Sequence, residues 1–189
     1  VSETPKPGTA RFRRVQHEII GNNEMALVAA VEAATREGLH TVLFSTPLIG
    51  DASSAAKMFA SLAERLSEGK GIIRRPYCVV AGGETTVTVT GRGKGGRAQE
   101  FAAVAACKIA GLHKTWVAAV GTDGTDGPTD VAGAVVSGST LEQAKQKGVN
   151  LRRALAQHNT YPALHALKSH IVTGPTGTNV NDLYLLLAL

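Results

Sequence analysis

Residues 91–97 read Gly-Arg-Gly-Lys-Gly-Gly-Arg, a cationic glycine loop set between a strand-like and a helix-like run. Lacking a Cβ, Gly91, Gly93, Gly95 and Gly96 let backbone N–H groups approach an anion closely. A helix opening directly after the loop adds unpaired N–H donors and the positive end of its dipole. Arg92, Lys94 and Arg97 supply three fixed cations. These residue types suit a polyphosphate, and with it phosphoryl chemistry. A second loop, 121–130, carries Asp123, Asp126 and Asp130 among glycines. Hard carboxylates beside a phosphate cradle can hold Mg2+ against a nucleotide or orient a substrate hydroxyl, but Asp also caps turns and helix starts. In a third loop, 173–179, Thr176, Thr178 and Asn179 can donate to phosphate or sugar oxygens, or close local turns. Glu84 follows a Gly-Gly pair at a strand end, placed as a base, a metal-linked acid or an exposed turn carboxylate.

Known phosphate signatures narrow these options. A Walker A loop requires Gly-x4-Gly-Lys-Ser/Thr. Here Gly95 follows Lys94 and Thr88 holds the upstream glycine position, so that motif is excluded. Gly91, Gly93 and Gly96 do fit G-x-G-x-x-G, with Asp123 downstream, which leaves a dinucleotide site open. Against it, Thr86, Thr88 and Thr90 make one face of the preceding strand polar, whereas a Rossmann entry strand is buried on both faces. The aspartates do not follow the EF-hand pattern. The six histidines (His17, His40, His113, His158, His165, His170) show no ligand spacing.

Those loops need a scaffold. At 189 residues the chain is long enough for one well-buried domain or two small lobes. The composition is 43% hydrophobic and 19% charged, ordinary for a globular protein. Net charge is +5 with aromatics at only 4%, too few stacking residues to expect a nucleic-acid partner. Cys78 and Cys107 read as buried thiols without a disulfide framework. No apolar run approaches the roughly 20 residues of a membrane span, and no signal peptide is read, so a cytoplasmic setting is expected. The opening Val1-Ser2-Glu3-Thr4-Pro5-Lys6-Pro7-Gly8 reads as a proline-stiffened interior linker, which suggests a piece of something longer.

Val15–Ile20 reads as a strand, 25–37 as a helix ended by Gly38, 39–45 as a strand, and 51–67 as an amphipathic helix. Residues 75–81 read as a buried strand that Gly82-Gly83-Glu84 turns into 85–90, forming a β-hairpin. Helix 99–110, strand 116–120, helices 140–146, 151–157 and 162–167, and strand 183–189 follow; 132–136 reads as either a helix start or a strand. The alternation predicts an α/β fold: a layered, Rossmann-like α/β/α arrangement with a largely parallel mixed sheet. Residues 1–14 are expected to be a linker and 15–189 one α/β domain, its βαβα segment 15–73 packed with 74–189. Loops 82–84, 91–97, 121–130 and 173–179 are expected to converge at one sheet edge.

With these stretches assembled, the chain resembles the glycerate 2-kinase family whose C-terminal part is the MOFRL domain; some members carry the older label of hydroxypyruvate reductase. The resemblance rests on Gly82-Gly83-Glu84-Thr85-Thr86-Val87-Thr88-Val89, residues 91–100, 121–130 with Ala132-Gly133-Ala134, and 173–182. Residues 15–68 look like the family's segment just upstream, and Glu3 to Gly8 like the connector before it. The resemblance implies ATP-dependent phosphorylation of D-glycerate to 2-phosphoglycerate, with Mg2+, in a cleft between two α/β domains. It implies that Arg97 is an active-site cation, and that a catalytic lysine lies in an N-terminal domain outside this chain. On this reading the catalytic candidates are Arg97, Lys94 and Glu84. The nucleotide-binding candidates are Gly91, Gly93, Gly95, Gly96, Thr176, Thr178 and Asn179, and the metal candidates are Asp123 and Asp126. Expected partners are glycerate, the nucleotide, the N-terminal domain and, as a homodimer, a second copy. Two departures stand out: Ala98 where the family usually has Asn, and His158-Asn159-Thr160-Tyr161 where it often reads Asn-Asp-Ser-Tyr. Two alternatives stay open, an NAD(P)H-dependent hydroxypyruvate reductase and a non-catalytic fragment that binds a phosphorylated ligand.

Overall fold

The structure is a computed structural model that describes residues 3–67 and 73–189. Val1 and Ser2 of the expected linker, and 68–72 of the upstream segment, lie outside the described residues. Helix α1 (Asn23–Arg36) starts where the Asn22 side chain accepts the Met25 N–H at 2.8 Å, and its chain reverses at Gly38, φ +79°. Strands β1 (His40–Leu43) and β2 (Leu48–Asp51) follow. In α2 (Ala52–Ser67) the first turn is held by Asp51 Oδ1 accepting the Ser54 N–H at 2.8 Å. Then come β3 (Tyr77–Thr86), α3 (Arg97–Lys108), β4 (Thr115–Gly121), β5 (Gly133–Ser137), α4 (Thr140–Gln146), α5 (Leu151–Ala156), α6 (Thr160–Ala166), β6 (His170–Ile171) and β7 (Asp182–Ala188).

All these strands share one sheet, in the order β1-β3-β7-β4-β5-β6, with β2 also on β3. The expected α/β class and mixed sheet hold, but the sheet is not largely parallel. Only β1 and β2 pair with β3 in parallel; β3–β7, β7–β4, β4–β5 and β5–β6 are antiparallel. The cause is β7, which inserts between β3 and β4 and runs against both. Its unbroken run Leu-Tyr-Leu-Leu-Leu is what a central position accommodates.

The expected hairpin is also absent, because β3 runs straight through Gly82 and Gly83. These glycines admit neighbouring chain rather than a turn. A Cβ on Gly82 would stand 2.0 Å from Asn23 Oδ1, and one on Gly83, φ +139°, 2.2 Å from the Leu48 carbonyl oxygen. Residues 87–90 leave the sheet, so their alternating threonines have no partner strand. Val15–Ile20 forms no strand either; Ile19 and Ile20 are 78% and 88% exposed. An apolar alternation becomes a strand only when another edge is within reach. The ambiguous 132–136 run resolves as β5, and β2 is too short for its pattern to be read in advance.

The core lies on the sheet face covered by α2 and α3. Phe59 of α2, Phe101 of α3 and Tyr184 of β7 pack in a row with their rings tilted to one another, centroids 6.0 and 4.4 Å apart. Alanines at 98, 102, 103, 105 and 106 let α3 sit deep between sheet and helices. Truncating Phe101 to Ala there would cost roughly 3–5 kcal/mol. Packing of this kind fixes where the first residue of α3 emerges.

Candidate functional site

That residue is Arg97, and it emerges at the sheet edge where the functional loops gather. Because β7 is antiparallel to its neighbours, its first residue, Asp182, lies level with Gly83 near the end of β3 and with Gly121 at the end of β4. The guanidinium of Arg97 grips Asp182 with two bonds, Nε to Oδ2 at 2.7 Å and Nη2 to Oδ1 at 3.0 Å. Its Nη1 donates to Glu84 Oε1 at 2.8 Å. Such bidentate, charge-assisted pairs are the strong ones. The bond to Asp182 holds Arg97 firmly protonated despite partial burial. Behind the pair, the Tyr184 hydroxyl donates to Asp182 Oδ2 at 3.1 Å and lies 3.1 Å from Thr85 Oγ1. Burial, reinforced by Asp182, pushes the Tyr184 hydroxyl well above its usual value.

The rest of the glycine loop faces the protein. A Cβ on Gly93 would stand 2.3 Å from the Gln157 carbonyl oxygen, on Gly95 2.3 Å from Thr160 Oγ1, and on Gly96 2.3 Å from Asp126 Cγ; on Gly91 the Gln157 oxygen would be 3.1 Å away. The glycines thus let the loop lie against the turn between α5 and α6. Lys94 N–H donates to Asn159 Oδ1 at 2.9 Å, and its carbonyl accepts the Tyr161 N–H at 2.9 Å. Its ammonium sits 4.1 Å above the Tyr161 ring, a cation–π contact. The Tyr161 hydroxyl donates to Asp130 Oδ1 at 2.8 Å, which draws the Asp130 carboxyl below its usual value.

Asp126 is the buried cap of α3. Its Oδ1 accepts the Ala98 N–H at 3.0 Å, and its Oδ2 accepts the Gln99 N–H and side-chain amide, each at 2.9 Å. Burial pushes its carboxyl up against these bonds. Asp123 is more open: Oδ1 accepts the Thr125 N–H at 3.0 Å and Oδ2 faces the Asn179 amide at 3.4 Å. Thr176 Oγ1 donates to the Thr122 carbonyl at 2.6 Å, and its N–H to the Asp123 carbonyl at 3.2 Å; the Thr178 N–H reaches Thr176 Oγ1 at 3.4 Å. The expected loops therefore do converge. Loop 121–130 touches 91–97 through Asp126 and 173–179 through Thr122 and Asp123.

Two separate groups result: Arg97 with Glu84 and Asp182, and Lys94 with Tyr161, Asp130 and Asn159. Sequence reasoning missed Asp182 and Tyr161 as members. Asp182 ends the 173–182 stretch just ahead of an apolar strand, and only the central place of that strand reveals its burial. No grouping of three or more His, Cys, Asp or Glu suited to a metal ion occurs among the described residues. Mg2+ needs no such cage, since it is held by one or two carboxylates plus substrate phosphates and water. The partly open Asp123 carboxylate fits that donor chemistry. No described helix is long and apolar enough to cross a membrane.

A model of the MOFRL family matches residues 77–182. A glycerate 2-kinase from Pyrococcus horikoshii is 39% identical over 172 residues, covering 90% of this chain and 39% of the relative. A D-glycerate 2-kinase from Thermotoga maritima is 37% identical over 185 residues, covering 98% of this chain and 43% of the relative. A crystal structure of glycerate kinase from Thermotoga maritima matches with a TM-score of 0.88 at 37% identity, over 91% of this chain and 42% of that one. The chain thus spans about two fifths of the length of these relatives.

Proposed function

The chain belongs to the MOFRL family, and from that premise we propose that it forms one wall of the active site of a glycerate 2-kinase, which transfers a phosphoryl group from ATP to D-glycerate. The relatives named above support the reaction class. The observation that carries the reading is the Arg97–Glu84 pair, presented at the sheet edge and backed by Asp182. Arg97 has five N–H groups, of which three are donated to the two carboxylates. Those left over, beside the half-exposed Glu84, match a hydroxy acid: carboxylate or phosphoryl oxygens accept from Arg97, and the hydroxyl donates to Glu84. Phosphoryl transfer asks for this kind of positioning and charge stabilisation more than for covalent chemistry.

Charge balance adds a constraint. Arg97, Glu84 and Asp182 together carry a net negative charge, so the cluster alone does not trap an anion. A polyphosphate needs further cations. Mg2+, held at Asp123, would supply charge neutralisation on the transferring group. Lys94 would add to it only by leaving the Tyr161 ring. The backbone at Gly91, Gly93, Gly95 and Gly96, together with Thr176, Thr178 and Asn179, would line the nucleotide side. Residues 15–189 would form one unit joined through 1–14 to a second domain that closes the cleft and brings the catalytic lysine implied by the family resemblance. The second domain is proposed from the greater length of the relatives.

A coupled assay on the full-length protein tests the reading. Glycerate-dependent ADP release from ATP-Mg2+ is expected. NADH consumption with hydroxypyruvate, and no ADP release, would replace the kinase by a reductase.

A further inference from the structure

We infer that Asp182 is a positioning residue for phosphoryl transfer, acting through Arg97; this rests on the kinase reading above. Asp182 is 1% exposed at its side chain, whereas Arg97 is 31% and Glu84 48% exposed. Exposure therefore rises along the network from the protein interior to the sheet edge. The open end also spares the pair part of the desolvation cost that full burial would impose. A group anchored from behind and presented in front has this gradient.

The anchor is well fixed. Both carboxylate oxygens of Asp182 are engaged, Oδ1 by Arg97 Nη2 and Oδ2 by Arg97 Nε and the Tyr184 hydroxyl. Its backbone carbonyl accepts from the Asn23 amide at 3.2 Å, tying it to the start of α1. Its strand is held on both sides, by β3 and by β4. A buried carboxylate without its cation is costly, so Asp182 and Arg97 specify each other's place. The two parallel bonds also fix the plane of the guanidinium, which a single contact to Glu84 does not. Functional groups supported this way, from rigid elements rather than loops, keep the geometry that transfer requires.

The experiment measures glycerate-dependent ADP release by the full-length protein carrying Asp182→Asn, Arg97→Ala, both together, or Arg97→Lys. Asparagine keeps the shape but turns an amide toward the guanidinium. Asp182→Asn should lower kcat about 100-fold, as misplacement of a catalytic group by about 1 Å does, with KM for ATP changed less than about threefold. The double variant should lose little beyond Arg97→Ala, since the two residues act as a unit. Arg97→Lys, which leaves Asp182 intact and so avoids any folding defect of its substitution, should fall within a few-fold of Arg97→Ala because it keeps charge without the planar fork. Near-wild-type kcat in folded Asp182→Asn overturns the inference. So does near-wild-type kcat in Arg97→Lys, which decides the matter if Asp182→Asn does not fold. An unmodified protein with no glycerate-dependent ADP release sinks the kinase reading and this inference together, whereas an active one with unaffected variants sinks the inference alone.

Discussion

Arg97 and Lys94 sit three positions apart in one loop, yet the structure gives them opposite surroundings. Arg97 enters a clamp of two carboxylates, one of them buried, at the sheet edge. Lys94 rests on the face of an aromatic ring on the side of α6. The difference lies in what each residue is attached to. Arg97 is the first residue of a helix locked into the core, so its Cα cannot drift relative to β7. Lys94 belongs to irregular chain held by single hydrogen bonds to 159 and 161. Equal charge in one motif therefore does not mean equal surroundings; rigidity of the attachment separates the two.

The most severe way to break this contrast is to remove each cation in the full-length protein. Arg97→Ala should lower turnover by roughly two to three orders of magnitude, as loss of a preorganised charged donor does. Lys94→Ala should cost less than about tenfold, most of it through a looser loop. Equal losses in ADP release would show that both cations reach the transferring group.

The two ends of the loop should also differ in stability. At Gly96 a Cβ would meet the Asp126 carboxylate at 2.3 Å. Gly96→Ala should therefore cost roughly 2 kcal/mol in chemical denaturation, an ordinary overpacking penalty. Gly91→Ala would meet the Gln157 oxygen at 3.1 Å as its nearest neighbour, and should cost less than about 1 kcal/mol by the same reasoning. A larger loss at Gly91 than at Gly96 would place the tighter packing at the entry of the loop.

The smallest effect is a titration. The Tyr161 hydroxyl holds Asp130 below its usual carboxylate value. A lowered value means that Asp130 contributes stability above the ordinary range, near about pH 4, and loses it as pH falls through the depressed value. Tyr161→Phe should return the Asp130 carboxyl toward its ordinary value, followed by its carboxyl-carbon NMR shift. An unchanged titration would mean that the contact between α6 and the 121–130 loop does not form in solution.

Much of the architecture was legible in the residues because it is written in local patterns. Asn22 before an apolar helical run and Gly38 after it are caps whose chemistry works within a few residues. The continuous apolar run 183–189 marked a strand on its own. The Gly82-Gly83 pair misled, because glycine permits close approach of another chain as readily as a turn. Only the positions of α1 and β2 decide between them. Likewise the glycines at 93, 95 and 96 read as room for a ligand, and the structure fills that room with the protein's own backbone and the Thr160 and Asp126 side chains.

For this protein, local residue pattern alone determined the α/β character, the presence of the helices though not their ends (α3 starts at Arg97, two residues before the expected 99), and the three polar loops that a phosphoryl-transfer site would draw on. Tertiary structure alone decided that β7 lies between β3 and β4, running against both. That one placement carries Asp182 from the end of the chain's last loop to the side of Arg97, 85 positions earlier in sequence. Hydrophobic pattern specifies that a strand must be buried, but it carries no information on which neighbours bury it; that choice is settled by how all the elements pack together.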